Sequence, residues 1–316
     1  MIGVADAAGA TCGFQTALVA GTSSAPAALS GSSTLPDLDG DGAADVWVFA
    51  EDAWWVSGAR VSSGGTLYMD EDADAHITGA PALTSYGAVD RDGDGVAGEL
   101  LVAAPYADRW RGGAWLLPTE DLIGEVALAD VASVTFQADG AMQDRLGCAG
   151  DVLDFDGDGH EDVALGSRHP NTGAVGGRAY VFAGDSLPDG AAPSWLAEWQ
   201  FYNDGGAEGI GKDFNVHSGN LDRDGRDELL LSAPEGAPVC DAPPEGVGGV
   251  LIWYGGLSHG AYGPSTFDAC IVAPPLEGFG SFVGVDDIDG DGSLDLLISS
   301  LTGNSAWGGF FRTEAW

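Results

Sequence analysis

The sequence is poor in basic residues, with 11 Lys and Arg against 49 Asp and Glu and a formal net charge of −38. Lys212 is its single lysine. Such a chain repels phosphates and anionic lipid headgroups, so we exclude nucleic-acid binding as a main role. The same charge opposes folding through self-repulsion, and bound cations are one way to reduce it.

Long apolar runs and metal-spaced cysteines are also missing. No stretch of about 18 apolar residues occurs, so we expect no membrane insertion. No basic residue precedes Arg60, so the N-terminus does not resemble a signal peptide. The cysteines (Cys12, Cys148, Cys240 and Cys270) show no C-x-x-C spacing, which disfavours a zinc site. Cys240 and Cys270 could form a disulfide in an oxidising compartment, with buried free thiols as the alternative.

Glycine is abundant at 51 residues, and with 15 prolines it disfavours helices and suits short strands joined by tight turns. An Asp-x-Asp-Gly-Asp-Gly pattern recurs along the chain, with one copy changed to Asn-Leu-Asp-Arg-Asp-Gly. A short apolar run follows each copy and predicts a buried strand. The acidic loops span residues 37–45, 90–99, 154–162, 220–228 and 287–295.

The spacing of these loops predicts the architecture. Successive loops begin 53, 64, 66 and 67 residues apart, and four strands per period is the content of a propeller blade. The residues after the fifth loop begins and those before the first loop together make one more period. We therefore predict an all-β fold over residues 1–316: a single β-propeller domain with five blades of four antiparallel strands. Residues 14–20 would supply the outer strand of the last blade and residues 281–311 the inner three. A fragment of a larger propeller is the alternative.

The acidic loops predict calcium sites. Ca²⁺ prefers six to eight hard oxygen ligands, and acids at loop positions 1, 3 and 5 aim at one point. The last acid stands at position 9, where an EF-hand would need position 12. We expect about five Ca²⁺ ions with a mainly structural role, the second and fourth sites being weakest; metal-free Asp-Gly turns are the alternative. The predicted ligands are Asp37, Asp39, Asp41 and Asp45; Asp90, Asp92, Asp94 and Glu99; Asp154, Asp156, Asp158 and Asp162; Asn220, Asp222, Asp224 and Glu228; and Asp287, Asp289, Asp291 and Asp295.

Further motifs repeat in phase with the loops. Tyr86-Gly87 precedes the second loop and Ala104-Pro105 follows its strand; Ile210-Gly211 precedes the fourth. This order resembles the calcium-binding FG-GAP repeats of integrin α-subunit propellers and their bacterial relatives. The resemblance implies an extracellular or cell-surface location, with the calcium loops on one face and ligand-binding loops on the other. It departs in blade number, because integrin propellers have seven blades, so integrin ligand specificity is not carried over.

The opposite face offers candidate ligand-binding residues, namely Trp54, Arg109, Trp110, Arg111, Arg168, His169 and Trp307. Exposed aromatic and Arg side chains commonly anchor partners, although each Trp could instead pack between blades. A G-x-S-x-G match at residues 256–260 follows a predicted strand without a following helix, so we expect no enzyme. We predict a monomeric extracellular binding or adhesion module whose partner is a glycan or a cell-surface or matrix protein. A pure scaffold or a lectin-like propeller is the alternative.

Overall fold

The computed structural model describes residues 16–138, 144–168, 177–202, 215–233, 247–263, 266–277, 279–302 and 305–311. The described chain is mostly β. Its strands are β1 (Thr16–Thr22), β2 (Ala25–Ala27), β3 (Gly31–Thr34), β4 (Val46–Phe49), β5 (Ala53–Val56), β6 (Gly65–Tyr68), β7 (Ala75–Thr78), β8 (Thr84–Val89), β9 (Glu99–Ala103), β10 (Ala114–Pro118), β11 (Gly124–Ala127), β12 (Val134–Gln137), β13 (Gly150–Leu153), β14 (Asp162–Ser167), β15 (Arg178–Phe182), β16 (Gly190–Pro193), β17 (Trp199–Tyr202), β18 (Val216–Gly219), β19 (Glu228–Ala233), β20 (Val247–Trp253), β21 (Gly260–Tyr262), β22 (Ala269–Glu277), β23 (Phe279–Asp286), β24 (Asp295–Thr302) and β25 (Ser305–Phe311).

Helical segments are one turn long. They are α1 (Gly58–Ser62), α2 (Met69–Asp72), α3 (Ala107–Trp110) and α4 (Leu128–Val131), with 3₁₀ turns at Thr119–Asp121, Gly184–Ser186 and Ser194–Leu196. Within the described ranges, none of these helices has the length and apolarity needed to cross a membrane.

Five antiparallel sheets follow one another along the chain, each built from consecutive strands around one acidic loop. Their cores are β3-β4-β5-β7, β8-β9-β10-β12, β13-β14-β15-β17, β18-β19-β20-β22 and β23-β24-β25. The repeated sheets confirm the mostly β architecture predicted from the repeat. In the fifth, no described strand pairs with the outer side of β25.

A short parallel strand extends three of these sheets. β11, β16 and β21 each lie between the third and fourth strands of one sheet and pair in parallel with the fourth strand of the preceding sheet, namely β7, β12 and β17. β6 occupies the same place in the first sheet, and it pairs in parallel with β1. By this pattern β1 takes the part of a fourth strand in the sheet that precedes β3. No ladder among the described residues joins β1 to β25, so the closed ring stays a prediction.

The second strand is buried on both faces in the second and third sheets, which explains its unbroken apolar run, whereas in β24 of the fifth sheet Leu297 is 38% exposed. In β9, Leu100 and Val102 pack into the core shared by the first and second sheets. Leu101, between them, packs into the core shared by the second and third. All three are 0% exposed. The prediction of buried strands is thereby confirmed for β9, and apolar layers lie between neighbouring sheets; in β24 it holds for Leu296 and Ile298 but not for Leu297.

Two cysteines are described. Cys148 is not part of a disulfide, whereas Cys270 in β22 is disulfide-bonded. Cys12 and Cys240 lie outside the described residues.

Candidate metal centres

Each acidic loop joins the first and second strands of its sheet, so all five loops occupy the same position in the repeat. In each loop three carboxylates bring oxygens within 4.8 Å of one another, a spacing that could hold a metal ion. The clusters are Asp37, Asp39 and Asp41; Asp90, Asp92 and Asp94; Asp154, Asp156 and Asp162; Asp222, Asp224 and Glu228; and Asp287, Asp289 and Asp291.

Backbone amides hold the first carboxylate of the loop in place. Asp37 Oδ1 accepts the N–H groups of Gly40 at 2.7 Å and Asp41 at 3.0 Å, and its Oδ2 accepts that of Gly42 at 2.7 Å. Asp90, Asp154 and Asp287 accept the equivalent amides of their own loops. This wrap turns the backbone sharply enough to aim successive side chains at one point.

Glycine is needed at loop positions 4 and 6 because both adopt the left-handed conformation. In the first loop Gly40 has φ 76° and Gly42 has φ 89°. The fourth loop carries Arg223 at position 4 with φ 64°, a conformation that costs a non-glycine residue free energy. The repeat therefore keeps its backbone path even where the sequence departs from the pattern.

The acid at position 9 is buried at the base of the loop. Asp45 is 0% exposed, and Asp162, Glu228 and Asp295 are each 1% exposed. Each accepts the amide of position 2 of its own loop, at 2.8, 3.0, 2.6 and 3.1 Å respectively. Four of the predicted position 9 acids thus lie beneath the loop they were assigned to.

Burial disfavours the charged form of these acids. It raises the pKa of Asp162 to about 8 and that of Glu228 to about 7. It also raises the pKa of Asp45. Neighbouring carboxylates add to the effect in the third loop, where Asp156 and Asp158 face Asp162. A divalent cation would reverse this balance by favouring the ionised form.

The fourth loop shows how well its oxygens fit a cation. Glu228 Oε1 and Asn220 Oδ1 are buried and have no hydrogen-bond donor. A buried acceptor left without a partner costs about 1–3 kcal/mol, so native proteins normally satisfy it. Asp222 and Asp224 stand beside Glu228 in the same cluster. Oxygens without donors and with two further carboxylates nearby fit a hard cation such as Ca²⁺.

The second loop differs from the expectation for Glu99. Glu99 Oε2 pairs with Arg91 Nε at 3.2 Å, and its Oε1 accepts the Ser133 hydroxyl at 2.8 Å. The extra residue Gly98 shifts the register of the loop. Glu99 therefore contacts Arg91, at position 2 of the loop, and Ser133, just before β12, and does not join the acidic cluster. A cavity of about 310 Å³ lies alongside, lined in part by Arg91 and Asp94.

Neighbouring loops are joined by the residues at positions 7 and 8. Asp227 of the fourth loop accepts the amide of Asp154, which opens the third loop, at 2.9 Å, and returns its own amide to the Asp154 carbonyl at 2.9 Å. Glu161 of the third loop makes the same pair with Asp90. Sequence reasoning missed this role, although an acid at position 8 in two copies could have signalled it.

The predicted ligand-binding residues fall in different environments. Trp54 lies in strand β5, is 5% exposed and stacks on His76 at 5.1 Å, which corrects its placement on an exposed loop. Trp307 lies in β25, and His169 lies outside the described residues. The G-x-S-x-G segment runs into strand β21.

Arg109, Trp110 and Arg111 lie together between β9 and β10, at the end of β9 opposite to the acidic loop. Arg168 follows β14, and its amide donates to the Asp144 carbonyl at 2.7 Å. Asp144 is the neighbour of Arg145, which packs over Trp110. The structure therefore brings four predicted residues to one region and adds Arg145, which no sequence motif marked.

No family model matches the chain. The human protein integrin alpha-IIb is 31% identical over 162 residues, which is 48% of this chain and 14% of the human protein. The chain is thus a distant relative of an integrin α subunit, as its repeats predicted. The solved structure of the rhamnogalacturonan lyase PL11 of Bacillus licheniformis aligns with a TM-score of 0.29 and 12% identity, over 86% of this chain and 43% of that one. The chain spans less than half the length of either protein.

Proposed function

We propose that this protein is a calcium-loaded, closed five-bladed β-propeller that serves as an extracellular binding module. The observation that carries the proposal is the fourth loop, where Glu228 Oε1 and Asn220 Oδ1 are buried without donors beside two carboxylates. The same acidic loop stands between the first and second strands of all five sheets.

The role proposed for calcium is structural. In the first and fifth loops the acids at positions 1, 3 and 5 hold the ion above the buried acid at position 9, and in the third and fourth loops the position 9 acid joins the cluster that holds it. In the second loop Asp90, Asp92 and Asp94 hold the ion without Glu99. The ion supplies positive charge where acids converge. At about ten times its dissociation constant, each ion stabilises the fold by about 1.4 kcal/mol. Five such ions would contribute about 7 kcal/mol, comparable to the 5–15 kcal/mol net stability of a typical domain.

Closure of the ring is supported by the edge strands. β6 pairs with β1 as β11, β16 and β21 pair with the fourth strands of their preceding sheets. A closed ring gives β1 that same part in the fifth sheet, where no described strand pairs with the outer side of β25. Ala20 and Val48 belong to one hydrophobic cluster that is separate from the other core clusters. In a closed ring this cluster forms the core layer between the first and last blades.

A binding role outside the cell rests on the distant integrin relative and on the disulfide at Cys270. The arginine-rich loops opposite the calcium loops supply the surface. We propose no enzymatic activity, since the G-x-S-x-G segment enters a strand where a nucleophile elbow would start a helix.

Thermal melting with Ca²⁺ and with EDTA tests the calcium role, and native mass spectrometry counts the ions. We expect about five ions and a melting temperature that falls sharply on chelation; an unchanged melt refutes the structural role. Glycan and matrix-protein arrays probed in both buffers test the binding role. Hits that vanish in EDTA support an adhesion module, and an empty array favours a scaffold.

A further inference from the structure

Two exposed aromatic rings and one arginine form a compact group on the side of the molecule away from the calcium loops. Tyr106 is 49% exposed and Trp110 is 47% exposed, with their rings edge to face at 5.7 Å. The guanidinium of Arg145 lies 4.6 Å from the Trp110 ring centre and 5.4 Å from that of Tyr106. We refer to Tyr106, Trp110 and Arg145 as the Trp110 cluster. Large aromatic side chains seldom stay this exposed in a group without a binding role.

The backbone that carries the Trp110 cluster is held in an unusual shape. Asp108, Arg109 and Trp110 are consecutive non-glycine residues with φ of 42°, 59° and 72°, and Arg145 has φ 52°. Such conformations are unfavourable for L-residues and collect at functional sites.

Hydrogen bonds lock this shape across two sheets. The Arg145 amide donates to the Trp110 carbonyl at 3.1 Å, and the Leu146 amide to that of Arg111 at 2.9 Å. Gly112 and Leu146 form a parallel bridge beside them. The strained turn is therefore fixed in advance of any ligand, which lowers the ordering needed on binding.

The region around the Trp110 cluster is rich in arginine, although the protein as a whole is very acidic. Arg109, Arg111, Arg145 and Arg168 are four of the chain's 11 basic residues. Arg111 pairs with the exposed Asp108 at 3.4 Å. Among the described residues, the side chains of Arg109 and Arg145 have no carboxylate partner, although 49 acids are present in the chain. A guanidinium such as that of Arg145, without a carboxylate partner among the described residues and beside exposed rings, suits a carboxylate that also carries an apolar face.

We propose that the Trp110 cluster binds a carboxylated sugar, with the carboxylate on Arg145 and Arg109 and the sugar ring against Trp110 or Tyr106. This inference rests on the proposed binding role and names its ligand class. The formal charge of −38 repels long polyanions, so a single acidic sugar presented at the end of a glycan fits better than an extended acidic chain. Sugar rings offer C–H faces to aromatic rings, and a uronic acid combines such a face with the carboxylate.

Saturation-transfer NMR in calcium buffer tests the proposal with three probes: glucuronate, glucose and acetate. We expect transfer to the ring protons of glucuronate and much weaker transfer to glucose, which has a neutral hydroxymethyl group in place of the carboxylate. Trp110→Ala should abolish the glucuronate signal, and Arg145→Gln should weaken binding at least tenfold. Arg60→Gln removes one exposed positive charge near the first calcium loop and should leave binding unchanged. The calcium-bound melting temperature of each variant checks that the fold is intact.

Equal transfer to glucose and glucuronate, or full binding by folded Arg145→Gln, overturns the proposal. A polyglutamate peptide that binds where glucuronate does not also overturns it and assigns the cluster to an acidic polypeptide. If glucuronate fails while calcium still stabilises the fold and an array yields another partner, only the ligand class is wrong. The loss of the calcium effect itself would instead overturn the proposed function.

Discussion

Replacing Glu228 by Gln should change the stability of the calcium-free and the calcium-bound protein in opposite directions. Glu228 Oε2 accepts the Leu221 amide at 2.6 Å, and its Oε1 is buried without a donor. Without calcium, and above the Glu228 pKa of about 7, the glutamate places an unpaired charge beside Asp222 and Asp224, whereas the Gln amide would donate to them. With calcium the same amide offers N–H groups to a cation and weakens the site. The substitution should therefore stabilise the calcium-free protein and destabilise the calcium-bound one.

The magnitudes follow from the two states. Relieving one buried unpaired acceptor is worth about 1–3 kcal/mol in EDTA. Losing one ion at about ten times its dissociation constant costs about 1.4 kcal/mol in calcium. For domains of 150–250 residues, 1 kcal/mol shifts the melting temperature by about 2–4 °C. We expect Glu228→Gln to melt a few degrees above the wild type in EDTA and a few degrees below it in calcium.

Differential scanning calorimetry in EDTA and in calcium measures these opposite shifts of the melting temperature. Glu51→Gln serves as the matched control, because Glu51 is exposed in the turn between β4 and β5, at the end of β4 opposite to the first acidic loop. The control should change the free energy of unfolding by no more than about 0.5 kcal/mol in either buffer. If Glu228→Gln shifts both melts in the same direction, the fourth loop does not hold a cation through Glu228.

Two further predictions concern the frame around the sites. Gly112→Ala should destabilise the fold by about 1–3 kcal/mol in urea unfolding, because Gly112 has φ +76° and a Cβ there would lie 2.3 Å from the Leu146 carbonyl oxygen; an unchanged midpoint would contradict it. Burial lowers the pKa of His76, but the hydrogen bonds that its ring donates to Glu125 and Asp52 outweigh this effect, so the net shift is upward. The wild type should therefore lose stability as pH rises above the ordinary histidine value of 6.5 and through this raised pKa, and His76→Gln should flatten that part of the profile; equal slopes would refute it.

The sequence could predict elements that depend on local pattern. The apolar runs of β9 and β19 are continuous because both faces of each strand are buried. Short runs of this kind can be recognised in a sequence without a structure. The acidic loops can be recognised in the sequence because Asp and Gly recur at fixed positions of one turn. Both features are set by residues that neighbour one another in the chain.

Features that depend on contacts between sheets were not predictable. The parallel strands β6, β11 and β16 are four residues long, and their pairing joins different repeats. Glu99 was assigned to a metal because its position matched, but Arg91 offers a competing partner. Arg145 reaches Trp110 only through the packing of two sheets.

The links between loops change how calcium would act on the whole molecule. An ion that orders the fourth loop also orders Asp227, whose side chain and amide both hold Asp154 of the third loop. Glu161 carries the same connection from the third loop to Asp90 of the second. Binding at one site thus lowers the ordering required at the next, which is positive coupling without any large movement. Position 8 is Ala97 in the second loop and Ala44 in the first, so no such side-chain link reaches or leaves the first loop and its ion should bind independently.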